Sequence, residues 1–565
     1  MSHRIAIAAL DRVLELRGFG CTWRRWMNTL LSTGRTAVLL NGVPGPWIPC
    51  KRGLRQGDPL SPYLFIIVAD LLHRMLVDDN ADMPLLHPLV DDRPCPIVYT
   101  FVPIHVVPSR AAELAAVLGC PVATFPQSYL GLPLSNKKLP AAVLDALAVK
   151  VERCIPSWRV HLLNRGGRLT LVNTVLTAQL TYATAALPLP KSTIEKVDKP
   201  RRGMLWKGAT TCSGGDCQVA WAAVRRLKDE GGLGVTDIEV QNTCLLLKTV
   251  DKLQQGHDNP WANWVRFWYT PERAATPTPC WKMIQGLLPL YCGVTTVVLS
   301  SGVTTSFWYD NWTSVGPLHH ALPALFSHCL APDATVAAAF STGRLVLPLQ
   351  DRLSPAAQDE LAGLTTRLHG LRLGNHANGR QLAWGDCLDV RSGALYTMLM
   401  RSGRAIPDSE INWTNFAPIK VRVFFWIFRH GNTRTRAFMH GHGALNTADC
   451  PFCTGQTEDA THLFCTCPRI AHFWHRACPG APVSSVASLL QAIPLPVGEL
   501  LHSAVLLLLW VIWKSRNRMI FDAVNQDEAS IARAAREHLA LWVNRARRRT
   551  DTTAIETWCS SLCVN

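Results

Sequence analysis

The chain has 565 residues, with 57 Lys and Arg against 41 Asp and Glu and a formal net charge of +16. That length suits about three or four domains of ~150 residues, and the basic excess points to an acidic partner, nucleic acid first. Nineteen scattered Cys and no N-terminal signal sequence argue against a secreted disulfide scaffold, and for a reducing, intracellular setting where thiols stay free or bind metal.

At the N-terminus, Ile7, Leu10 and Leu14 fall on one face of a helix expected to stop at Gly18 or Gly20. Asp11, inside that helix, reads as a solvated helix-face charge. Residues 36–40 read as a strand, Asn41-Gly42 as a hairpin turn, and Trp47-Ile48-Pro49 as the returning strand. A loop then feeds a second helix. Asp58 suits the N-cap and Pro59 the first helical position, where a missing N–H costs nothing. Leu60, Leu64, Val68, Leu71 and Met75 give this helix one apolar face. Gly53 and Gly57 allow the loop backbone to approach something large, while Arg55 and Gln56 supply charge and hydrogen-bonding capacity. On local physics alone this is an ordinary capped core helix.

The whole string changes the weighting. The run Arg55-Gln56-Gly57-Asp58-Pro59-Leu60-Ser61-Pro62-Tyr63-Leu64-Phe65 resembles the G-x-x-Q-G-D-P-L-S-P-Y-L-F segment of reverse transcriptases, in the form typical of LINE-type (non-LTR) plant retrotransposons. The resemblance implies a place in the polymerase palm, near template and incoming nucleotide. It therefore marks Arg55, Gln56 and Gly57 as substrate-binding. It also implies RNA-templated DNA synthesis by two metal ions held on carboxylates, with Mg²⁺ as the expected ion. No convincing Mg²⁺ site is recognisable. The family's first metal-binding Asp is expected ahead of residue 1. Its Tyr-x-Asp-Asp hairpin is expected near residues 93–106, where the chain steps from one flank to the other at about Val98 to Phe101. That looks like an internal deletion of roughly fifty residues, the size of a hairpin plus a following helix. Asp91-Asp92 is followed by Pro94, which cannot donate to a strand ladder, so this pair and Asp78-Asp79 read as solvated turn residues. No catalytic residue is assigned. The rival reading is a working polymerase with displaced carboxylates at Asp70, Asp91 and Asp92.

The resemblance resumes at Phe125-Pro126-Gln127-Ser128-Tyr129-Leu130-Gly131-Leu132-Pro133-Leu134-Ser135, and residues 136–300 read as mainly helical. Arg165-Gly166-Gly167-Arg168 and Lys199-Pro200-Arg201-Arg202 are basic patches around expected helix starts, either solvated or touching a nucleic-acid backbone. Residues 230–235 form a Gly-rich turn that lacks the strand–GxGxxG–helix setting of a phosphate site. Phe307-Trp308-Tyr309-Asp310-Asn311-Trp312 resembles an aromatic element of the same retroelement proteins and reads as packing.

Cys450-Pro451-Phe452-Cys453 presents two thiolates in one tight turn, and His462, Cys465 and Cys467 follow. Such a knuckle plus His and a further Cys at H-x4-C supplies four ligands for tetrahedral Zn²⁺ in a closed, structural site. The surroundings, including Pro418-Ile419-Lys420-Val421-Arg422-Val423-Phe424-Phe425-Trp426 and Thr461-His462-Leu463-Phe464, resemble the zinc-binding domain of plant LINE-type reverse transcriptases. That resemblance maps the ligands to Cys450, Cys453, His462 and Cys467, with Cys465 the rival to Cys467. The tail from Leu509 to Asn517 resembles the family too, and a final helix is expected to carry Arg545, Arg547, Arg548 and Arg549. Its apolar run, residues 504–513, is too short for a bilayer, which takes about 20 residues.

The expected fold is α+β and predominantly helical. A partial palm domain (1–135) precedes a helical thumb- or connection-like region (136–300) and a linker region (301–410). A zinc-binding domain (411–495) and a C-terminal helical tail (496–565) follow. The expected function is that of a retrotransposon-derived, catalytically inactive reverse-transcriptase-like protein with structural zinc and RNA or DNA as partner. The alternative from another class is a non-catalytic nucleic-acid-binding or scaffold protein. Neither a membrane nor a protein partner is indicated.

Overall fold

The computed structural model describes residues 7–49, 101–155, 162–254, 260–268, 278–340, 344–384, 389–401, 409–479 and 483–562, a few isolated positions excepted, and scattered residues between 60 and 70. The loop carrying Arg55, Gln56 and Gly57 lies outside these residues, as do Asp78-Asp79 and Asp91-Asp92. The chain divides into two compact units, Met1–Asn136 and Lys137–Asn565. Described residues are predominantly helical, with short antiparallel two-stranded pairings.

In the first unit the helix Ile7–Leu16 buries Leu10 and Leu14 against Met27 of the helix Cys21–Ser32 and against Leu64. Gly18, at φ +80°, ends the first helix in a backbone conformation that costs Gly nothing. Leu39–Leu40 pairs with Val43–Pro44, and Arg35–Thr36 with Ile48–Pro49. The strand pairing puts Leu40 opposite Val43, while the expected turn residues Asn41-Gly42 lie outside the described residues. Asp11 is a partly exposed helix-face charge, and it is paired rather than free. Arg24 lies one helix away and donates from Nε and Nη2 to its two oxygens at 3.0 and 2.7 Å. That pairing holds the Asp11 carboxyl below the usual range.

The second unit is built on several cores. The helices Ala141–Arg153, Arg165–Leu171 and Lys191–Trp206 bury Leu144, Val151, Leu169, Val197 and Leu205 together. Helices Ile238–Gln254, Pro279–Val294 and Ser392–Met400 enclose Leu247, Val250, Tyr291 and Leu395. Strand Thr295–Val298 pairs antiparallel with Gly379–Leu382, and the aromatic run beside it packs inward. Phe307 and Trp308 are fully buried, and Asp310 below them makes a two-pronged pair with Arg380 at 2.9 and 2.8 Å.

The basic patch at 199–202 corrects a sequence expectation. Pro200 suggested a helix start, but the helix begins at Lys191 and Pro200 lies inside it. Arg201 is fully buried, paired to Asp198 and donating to Thr177 Oγ1 and to the Thr236 carbonyl at 3.0 and 2.7 Å. A guanidinium held in this way braces the core and is closed to phosphate.

The last core gathers the C-terminal third. Its axis is the helix Glu499–Phe521, whose residues Ala504 to Leu509 are all buried. Helices Pro468–Ala477, Glu528–Val543 and Thr553–Ser561 pack on it through Phe473, Leu539 and Ile555. Among the described residues, no helix is long and apolar enough to cross a membrane. Arg545, Arg547, Arg548 and Arg549 fall past the end of Glu528–Val543, in the turns before the last helix, so their expected place on a helix is corrected as well.

One helix, Ile419–Arg429, belongs to two cores at once. Val421 and Phe425 face the C-terminal core, whereas Val423, Trp426 and Ile427 enter the core of the 141–238 helices. Two details make this contact close. A Cβ on Gly166 would stand 2.6 Å from the Lys420 backbone nitrogen. The Trp426 indole N–H donates to the Gly231 carbonyl at 2.7 Å, within the Gly-rich turn.

Candidate metal centre

The segment after this helix is a small hairpin followed by a distorted helical turn. Asp449 bridges Thr457 in antiparallel fashion, Cys450 N–H donates to the Gln456 carbonyl at 2.8 Å, and Glu458 N–H donates to Ala448 at 2.8 Å. The hairpin tip carries Cys450 and Cys453, and Gly455 turns it at φ +88°. Residues His462–Thr466 then form a π-turn, closed by Cys467 N–H donating to the His462 carbonyl at 2.7 Å. The wider turn matters for the site. In an α-helix, positions i and i+5 point about 140° apart, whereas the π winding brings them toward one side. Pro468 at the first helical position stops the winding and makes Cys467 the N-cap of the next helix.

Four side chains converge as a result. The Cys450 and Cys467 sulfurs are 4.0 Å apart, Cys453 and Cys467 3.9 Å, and the Cys453 sulfur lies 3.2 Å from His462 Nε2. All four donor atoms lie within 4.8 Å of one another. A tetrahedral zinc with Zn–S of about 2.3 Å and Zn–N of about 2.0 Å requires edges of roughly 3.8 Å between sulfurs and 3.5 Å from sulfur to nitrogen. The donor set and spacing fit that ion. Cys465 stands outside the group, buried in the C-terminal core, its thiol pushed up to about 11 by burial.

The electrostatics of the group are asymmetric. Cys467 is lowered, first by the hydrogen bond with Cys450 and, against burial, by the N–H groups of Arg469 and Ile470 at the helix start. Cys450 is raised, first by the same hydrogen bond and then by burial. The helix N-terminus thus favours a thiolate at Cys467, the form a metal requires.

Behind the hairpin lies a buried ion pair that sequence reasoning missed. Glu458 is fully buried and accepts from Arg516 Nε and Nη2 at 2.6 and 2.9 Å, and from the Arg436 backbone N–H at 2.8 Å. It ties the metal hairpin to the helix Glu499–Phe521. Arg516 stands among Lys514 and Arg518 in that helix, so nothing local singles it out or points to Glu458 as its partner.

Residues 391–474, which contain this centre, match the family described as zinc-binding in reverse transcriptase. The chain is reverse-transcriptase-related. It carries a structural zinc site of the Cys3His kind. This reverse-transcriptase-related chain is 25% identical over 372 residues to an Arabidopsis thaliana protein described as "Putative ribonuclease H protein", covering 62% of the chain and 58% of that relative. A 34-residue stretch is 56% identical to an uncharacterized mitochondrial protein of the same plant, covering 6% of the chain and 28% of that relative. The chain thus spans less than two thirds of either relative's length.

Of the other residues singled out in the sequence, Asp70 is ion-paired to Arg17. Arg168 donates to the Leu163 carbonyl at 3.1 Å, and Asn164 caps the helix that carries it.

Proposed function

We propose that the chain is a LINE-type retrotransposon polymerase derivative that has kept its zinc module and its affinity for nucleic acid and has lost polymerase chemistry. The Cys3His group inside the reverse-transcriptase zinc-binding match carries this reading. Cys450, Cys453, His462 and Cys467 are its zinc ligands. Four protein ligands leave no open coordination position, so the ion holds structure and does not activate water. The net charge of +16 supports weak, sequence-tolerant binding of RNA or DNA whose affinity falls with salt. Arg55, Gln56 and Gly57 belong to a palm remnant that once faced template and nucleotide.

Loss of catalysis follows from the carboxylates. Two-metal phosphoryl transfer needs them to hold the ions, and the sequence passes from Val98 to Phe101 without the family's Tyr-x-Asp-Asp. The rival reading enlists Asp70, and the ion pair with Arg17 counts against it. The test is primer extension on an RNA template with Mg²⁺ or Mn²⁺. No extension is expected. Template-dependent extension that Asp91→Ala abolishes would overturn the reading.

A further inference from the structure

A cavity of about 330 Å³ opens where the helices Arg165–Leu171, Ile419–Arg429 and Glu499–Phe521 meet, near the lower bound of about 300 Å³ for small-molecule sites. Three cations line it: Arg165, Lys420 and Arg434. Among the described residues no carboxylate pairs with any of them. The remaining wall is aromatic, with Phe424, Trp510 and Trp513. Lys420 Nζ sits 5.9 Å from the Trp510 ring centre.

A second observation concerns unmet hydrogen bonds. Thr433 is 5% exposed, and its hydroxyl finds no partner among the described residues. Gln218 Oε1 and the Trp510 indole N–H, also in the lining, are buried and have no partner among the described residues. Buried polar atoms left unpaired are costly, so they mark places where a ligand completes the bonding.

We propose that this cavity receives one nucleotide of a single-stranded nucleic acid, with its phosphate at Arg165 and Arg434 and its base against Trp510. The inference rests on the nucleic-acid reading above and places it on particular residues. Three features select the ligand. Cations without carboxylates ask for an anion. An indole face gives a base a stacking platform, worth about 1–3 kcal/mol per base, and Trp510 supplies it, since Trp513 is stacked on Phe424 at 5.7 Å with Arg516 5.1 Å over its ring. The unmet groups are mixed, since Gln218 Oε1 only accepts, the Trp510 N–H only donates, and Thr433 does both. A bare phosphate would leave the Gln218 oxygen unmet, whereas a base edge offers both donors and acceptors. Burial and the like charges of Arg434 and Arg168 lower Arg165 to about 10, so an incoming phosphate relieves a repulsion already present. Lys420, Lys514 and Arg518 are exposed and lie near His538, whose imidazole is lowered first by burial and then by these charges.

The test uses the full zinc-loaded chain and a fluorescein-labelled single-stranded RNA of about ten nucleotides, read by anisotropy over a salt series. The Arg165→Gln, Arg434→Gln double variant is expected to bind at least ten-fold more weakly, with a smaller slope of log affinity against log salt. Each phosphate contact contributes about 0.7 to that slope for single strands. Trp510→Phe, which keeps an aromatic ring but removes the N–H and the pyrrole half of the indole, is expected to weaken binding less and to leave the slope unchanged. Retained zinc content shows that the variants fold. Should the double variant lose zinc, the exposed Lys420→Gln replaces it with the same expected direction. Wild-type binding that these variants leave intact would overturn the cavity assignment alone and spare the nucleic-acid reading. Absence of binding by the wild type would sink both, and equal competition by a duplex would overturn the single-strand assignment.

Discussion

Replacing Arg516 by Met removes the guanidinium that donates to both Glu458 oxygens, at 2.6 and 2.9 Å. One donor, the Arg436 backbone N–H at 2.8 Å, would remain for a carboxylate that is fully buried. Breaking a buried pair from one side costs about 3–5 kcal/mol, because the partner charge stays desolvated. With a urea dependence of about 2 kcal/mol per molar, the unfolding midpoint of this core should fall by roughly 2 M. Zinc release to a chromophoric chelator during a urea titration reads this core specifically, since Glu458 follows the cysteine hairpin directly. The double variant Glu458→Gln, Arg516→Met removes both charges and should regain at least half of the loss. A shift below about 0.5 M for Arg516→Met would refute the reasoning, because it would mean that water reaches Glu458 and the pair is a surface one.

Elemental analysis of the full chain should give one zinc per molecule, retained in Cys465→Ser and lost in Cys453→Ser and Cys467→Ser; retention in Cys467→Ser would transfer the fourth position to Cys465. Gly166→Ala should lower thermal stability, since its Cβ would meet the Lys420 backbone nitrogen at 2.6 Å and backbone cannot step aside; overpacking of this kind costs about 1–3 kcal/mol, and an unchanged melting temperature would show that the two helices have room to part.

The metal centre was legible because its chemistry is local. All four donors fall within eighteen consecutive positions, and C-x2-C with H-x4-C constrains them to one turn and one short helical segment. The same locality made the first helix and its hairpin readable, since periodicity and a single turn dipeptide specify each. What failed was the reading of cations. Arg201 and Arg545 are equally basic as letters, yet one is sealed into a core by Asp198 and the other lies in a surface turn. Asp198 lies one helical turn before Arg201, but Pro200 between them mimics a helix start. Long-range ties leave no local mark at all. Glu458 and Arg516 are 58 residues apart, and the Trp426 indole reaches a carbonyl 195 positions earlier.

Along its middle, the helix Ile419–Arg429 buries Val421, Val423, Phe425, Trp426 and Ile427 against two different cores. Its double burial links metal occupancy to a distant part of the chain. Free energy gained when an ion binds the folded form alone adds to the stability of everything that unfolds with it. Val423, Trp426 and Ile427 carry that coupling into the 141–238 helices, so chelation should loosen amide protons a hundred or more residues upstream. A fragment cut to the residues that match the zinc family, 391–474, would leave those three side chains without their other core. The metal module is therefore a keystone between two cores, and its sequence boundaries are not its folding boundaries.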